Sequence, residues 1–200
     1  MAIFSTAYFG PISYFQQMLK YESDLIIESK EHFVKQTYRN RCVIAGANGP
    51  LNLIVPLKKR GERLPIDQVE ISYDEDWKKL HLRSIESAYR SSPYYEFYED
   101  EFIALFEEHH ETLFDWNMAC FNWINEILEL ELKVQVSERY EKEVANDFRL
   151  IISPKKESLL EMEEYYQVFS SRNGFLSDLS ILDALFHLGP QSVNKFMPAK

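Results

Sequence analysis

The stretch that most narrows the fold of this chain is Cys42–Val55. Two β-rich runs, Cys42–Ala45 and Leu51–Val55, flank Gly46-Ala47-Asn48-Gly49-Pro50. Asn-Gly supplies the positive-φ positions of a tight reversal, and Pro50, which cannot donate a ladder hydrogen bond, belongs at a strand start or edge. The stretch therefore predicts an antiparallel hairpin. Folding back brings Tyr38–Arg41 close to Lys58–Arg60, so cations gather at the open end of the ribbon. Residues 30–63 hold eight Lys and Arg (30, 35, 39, 41, 58, 59, 60 and 63) against two acids, a balance of +6 in a chain of net charge −10. No other charge asymmetry in the sequence is as strong.

A length of 200 residues suits one domain over 1–200 with a substantial core, and a hydrophobic share of 46% excludes intrinsic disorder. The N-terminus has no basic region followed by a long apolar stretch, so it does not read as a signal peptide. No apolar run approaches the ~18 residues of a membrane span. Cys42 and Cys120 have neither disulfide-framework nor metal-motif spacing. They read as buried, reduced thiols of a cytoplasmic protein. Overall acidity disfavours a nucleic-acid surface, so an anionic partner has to be small enough for the local basic patch.

Read in order, residues 2–9 predict a strand, Gly10-Pro11 a turn, Ile12–Lys20 a helix and Asp24–Glu28 a second strand, a βαβ-like beginning. Val69–Tyr73 alternates as a strand. Ser72 and Glu75 have capping-box spacing before a helix from Asp76 to Arg90. Pro93 suits the first turn of a helix over Tyr94–His110, and Thr112 caps another over Leu113–Leu130. Val134–Val136 and the apolar run Phe148–Ile152 predict strands. Ser158 and Glu161 offer a capping box, while Tyr165–Phe169 fits a strand, and the two readings stay open. Leu179–Leu188 predicts a helix stopped by Gly189-Pro190. The whole predicts an α/β fold with a mixed β-sheet, a β-hairpin and packed helices.

Several of these segments carry a family resemblance. Tyr8-Phe9-Gly10-Pro11-Ile12-Ser13-Tyr14-Phe15, Gln36-Thr37-Tyr38-Arg39-Asn40-Arg41 and Val55-Pro56-Leu57-Lys58-Lys59 come first. Trp77–Ile85 with Tyr89 and Pro93-Tyr94-Tyr95 follows, and Asn173–Phe186 completes the series. These blocks resemble, in order, those of the WbqC-like proteins. That family takes its name from a gene of bacterial O-antigen clusters, and the resemblance implies a role near nucleotide-sugar or glycan modification, with group transfer as the reaction. The chain departs from longer members, which have a Gly-rich stretch after the third helix region; Phe148–Lys156 contains no glycine.

The candidate site starts from Arg39, Asn40, Arg41, Lys58 and Lys59, with Gln36 in the same block. Guanidinium forks bind phosphate or carboxylate oxygens bidentately and Lys adds a point charge. The plainer reading is a solvated strand end protected from edge pairing. His81, one turn after Trp77, is a candidate general base, or else a core-edge histidine. Asp183 and His187, four apart, are a candidate orienting pair, or a helix-face contact. The Gly10-Pro11 turn offers helix amides to an anion, with Tyr8 and Tyr14 as an aromatic wall. Glu107 and His110 have a metal-bundle spacing but no second copy, so no metal site is assigned. The cofactor is left unknown. The expected partner is a small anion, a nucleotide-sugar among the candidates, and the expected function is sugar group transfer, or else non-catalytic binding of an anionic metabolite or acidic partner.

Overall fold

Ala2–Ser5 (β1) is apolar enough to be buried along its whole length, as a central strand of a parallel sheet requires. In the computed structural model, which describes residues 1–21, 24–59, 63–159 and 163–196, β1 runs parallel to Leu25–Glu28 (β2) on one side. Helix Ile12–Tyr21 (α1) makes the crossover between them. Val134–Val136 (β5) extends the sheet beyond β2, and Asn146–Asp147 (β6) pairs on the far side of β1, giving the order β5-β2-β1-β6. A separate antiparallel ribbon joins Arg41–Gly46 (β3) to Gly49–Ile54 (β4), with Gly46 opposite Gly49. The α/β class and the hairpin follow the sequence, and the strands divide into a parallel sheet and this ribbon. In the reversal, Gly49 alone of the Asn-Gly pair takes positive φ, at 111°.

The helices form as their apolar spacing and caps dictate. Trp77–Tyr89 (α2) starts at Asp76, whose carboxylate accepts the Lys79 amide at 3.2 Å. Ser72 instead hydrogen-bonds Asp74, so the expected capping box gives way to a cap one residue before the helix. Tyr95–Glu107 (α3) begins two residues after Pro93. Leu113–Ile127 (α4) is capped by Thr112, whose hydroxyl accepts the Asp115 amide at 3.1 Å. The short Ser170–Asn173 (α5) precedes Ile181–Leu188 (α6), which Ser180 caps and Gly189 ends at φ 58°. Trp116 of α4 lies at the centre of an aromatic core with Tyr8, Trp77 and Phe106 around it.

Three expected strands are corrected. β1 stops at Ser5, because the chain turns at Tyr8-Phe9, where Phe9 has φ 39°. Val69–Tyr73 is extended but forms only isolated bridges, its backbone bonding in turn to Leu113, Lys58, Glu111 and Pro56. Phe148–Ile152 is a turn after the two-residue β6. Its apolar content packs all the same: Phe148 stacks on Phe4 at 4.8 Å, and its amide bonds the Ile3 carbonyl. The segment 165–169 is neither strand nor regular helix, and the Glu161 end of the alternative capping box lies outside the described residues, as does Arg60.

Candidate functional site

The open end of the ribbon borders a cleft of about 1000 Å3, at the upper end of small-molecule site volumes. One wall is the loop 32–36, another the strand ends at Asn40-Arg41 and Ile54–Lys59, and Arg63, Leu64 and Glu70 close it. The segment around Arg41 is held rigidly. The Asn40 carbonyl accepts the Val55 amide at 2.8 Å, and Asn117, fully buried in α4, donates its Nδ2 to the Arg39 carbonyl at 2.7 Å. Thr37 Oγ1 bonds back to the Val34 carbonyl at 2.7 Å, and Gln36 at the rim sits at φ 61°. A left-handed conformation is uncommon for a glutamine and persists only where its surroundings impose it.

The cleft is cationic. Lys35, Arg41, Lys58, Lys59 and Arg63 line it, against Glu70 as the one carboxylate among the described lining residues. Lys58 is already paired with Glu70 at 2.9 Å. Arg41 is different: it is half-buried, its Nε is fully shielded and has no hydrogen-bond partner, and no described carboxylate forms an ion pair with it. A shielded N–H with no acceptor among the described residues is costly to bury. Phe33, Ile54 and Leu57 supply apolar surface in the same cleft.

Of the residues expected at the site, Gln36, Asn40, Arg41, Lys58 and Lys59 meet in this cleft, and the others do not. Arg39 is only 1% exposed and turns inward, donating Nε to Glu31 Oε1 at 2.8 Å and Nη2 to Glu31 Oε2 at 2.5 Å. Period-two alternation would put Arg39 beside Arg41, but Arg39 lies in the turn before β3, where that rule does not hold. Burial raises the Glu31 carboxyl, and the Arg39 hydrogen bonds pull it back down. A second buried guanidinium, Arg149, is likewise neutralised, by Glu28 at 3.0 Å and Asp147 at 2.6 Å. Against these two, Arg41 stands out in having no ion pair among the described residues.

His81 lies behind the cleft wall. It is 2% exposed, its Nδ1 is 2.9 Å from the Tyr8 hydroxyl, and burial lowers its pKa to about 4, a backbone bond at Ile54 offsetting this in part. Tyr8 is thereby a core partner of His81 rather than an outward wall, and its phenol is pushed well above the ordinary value by burial. Tyr14 is buried too and donates to the Ser5 carbonyl at 2.9 Å. The amino end of α1 is occupied by the chain itself: the Asp178 carboxylate accepts the Ser13 amide and the Ser13 hydroxyl, each at 2.8 Å. Asp183 is fully buried and fastens the segment 165–168 to α6, accepting from Tyr165 and Gln167, while His187 bonds the Asp183 carbonyl and the Val168 amide. His110 bonds Glu108 at 3.0 Å, and among the described residues no three metal-ligating side chains converge.

The cleft also contains residues not singled out from sequence. Lys35 and Arg63 were visible only in the charge balance, and His32 and Glu70 only through the fold that brings their loops together. Both cysteines are free and buried, with thiols pushed up by desolvation and so unreactive. No helix among the described residues is long and apolar enough to cross a membrane.

A family model described as the WbqC-like protein family matches residues 6–158. That span contains the whole cleft wall and ends before the Asn173–Phe186 block. Among curated proteins and among solved structures, nothing matches the chain.

Proposed function

The chain belongs to the WbqC-like protein family, and on that premise we propose that its basic cleft, within one domain over residues 1–200, binds a phosphorylated or nucleotide-linked sugar for group transfer in bacterial surface-polysaccharide biosynthesis. The observation that carries this reading is Arg41, a half-buried guanidinium with no ion pair among the described residues. Lys59, Arg63 and Lys35 extend the positive field around it, and the apolar lining suits a ring face. The wall segment is pinned by Asn117 and Val55, so the anion site is preorganised.

A second reading, retention of the ligand without turnover, is favoured by the position of His81. Its imidazole is behind the wall, and His32 is the one described imidazole that faces the cleft. Titration calorimetry with uridine diphosphate glucose and with hexose 1-phosphates tests the shared claim. Binding is expected at low and moderate salt and falls about 10- to 100-fold in Arg41→Met, the range for a charge-assisted pair. Equal affinity in Arg41→Met, or no binding of any of these ligands, removes the proposal. Product analysis on the ligand that binds separates transfer from retention.

A further inference from the structure

We infer that Asn40 is the specificity-determining residue of the cleft, reading a hydroxyl or N–H group that the ligand presents beside its anion. This rests on the cleft being an anion site and goes beyond it in naming what else the ligand must present. Asn40 lines the cleft yet is only 8% exposed. Its Nδ2 is committed to the Val55 carbonyl at 3.0 Å, which fixes which way the amide faces, and its Oδ1 is buried with no partner among the described residues. The backbone on either side is held by the Val55 amide and by Asn117, and the Nδ2 bond holds the side chain at the cleft wall. The side chains that give the cleft its positive charge are donors only: Arg41, Lys35, Lys59 and Arg63. A fixed acceptor among them gives nothing to a phosphate oxygen and repels it, but satisfies a neighbouring ligand hydroxyl or N–H. A buried acceptor left unmatched penalises any ligand without that donor, and sites of this kind discriminate strongly. The ligand class is therefore a sugar phosphate or a similarly hydroxylated ester, favoured over bare phosphate or a simple alkyl phosphate.

Methyl phosphate and the hexose 1-phosphates of glucose, galactose and mannose form a matched set, with the same anion and with or without ring hydroxyls. On the unaltered protein at least one hexose 1-phosphate is expected to bind about 10-fold more tightly than methyl phosphate. One monodeoxy analogue of that sugar loses the advantage, and Asn40→Ala brings the affinity ratio to about one. No preference for any hexose 1-phosphate, or a preference unchanged in every deoxy analogue or in Asn40→Ala, overturns the inference. The deoxy series needs no variant, so it decides the matter if Asn40→Ala does not fold. Should methyl phosphate bind in an Arg41-dependent way without any sugar preference, the inference on Asn40 fails alone. Should no phosphate bind at all, the anion site fails with it.

Discussion

Arg39 and Arg41 are two residues apart and meet opposite environments. Arg39 shares a buried, bidentate ion pair with Glu31, and removing one member strands the other charge in the interior. Arg39→Met is expected to cost about 3–5 kcal/mol of stability, with much of it restored when Glu31→Leu is added. Urea denaturation of the single and double variants checks this; a cost below about 1 kcal/mol for Arg39→Met contradicts the pairing. The inward course of Arg39 was not legible in sequence, since an arginine in a charged run reads the same whether it faces water or a buried carboxylate. His81 carries a pH signature. Because burial lowers its folded pKa to about 4 from the usual 6.5, the unfolded chain binds its proton first. The stability it contributes is complete above about pH 6.5 and is lost as pH falls toward 4, by up to about 3 kcal/mol. Glu31 and Asp178, whose carboxyls are raised by burial, slope the opposite way, so the difference between the protein and His81→Phe isolates the imidazole. That difference in stability is expected to change between pH 7 and 5; a constant difference contradicts a buried, neutral imidazole.

At the scale of elements, the fold was most legible where local chemistry and tertiary packing agree. The hairpin, the β1-α1-β2 unit and the α4 and α6 helices combine apolar periodicity with turns or caps that the structure uses, including Thr112 and Gly189. It was least legible where an apolar run serves packing rather than pairing. Phe148–Ile152 looks like a strand, but Arg149 within it is drawn between the carboxylates of buried Glu28 and half-buried Asp147, and the backbone turns there. Val69–Tyr73 alternates correctly yet bridges several segments instead of one partner strand. The end of α6 provides a test. Gly189 has φ 58°, and a methyl group added there would come within 2.6 Å of the Tyr94 ring. Gly189→Ala therefore combines backbone strain with overpacking and is expected to destabilise by about 2–4 kcal/mol, read as a lowered denaturant midpoint. A neutral substitution contradicts this account of the helix stop.

Across the whole molecule, charge is divided between an acidic helical middle and a basic cleft. Residues 101–147 alone total −9, while residues 30–63, which supply most of the cleft lining, total +6. That division was legible in composition, as was the approach of the two cationic segments through the hairpin. The concavity was not, because it depends on the loops 32–36 and 63–70 folding over the ribbon end without any periodic signal. A crystal structure of the protein with a bound hexose 1-phosphate tests the central claim most directly. The phosphate is predicted to lie about 3 Å from Arg41, with Lys59 or Arg63 alongside and the sugar turned toward Asn40. A phosphate bound away from the cleft, with Arg41 still lacking a partner, would contradict it.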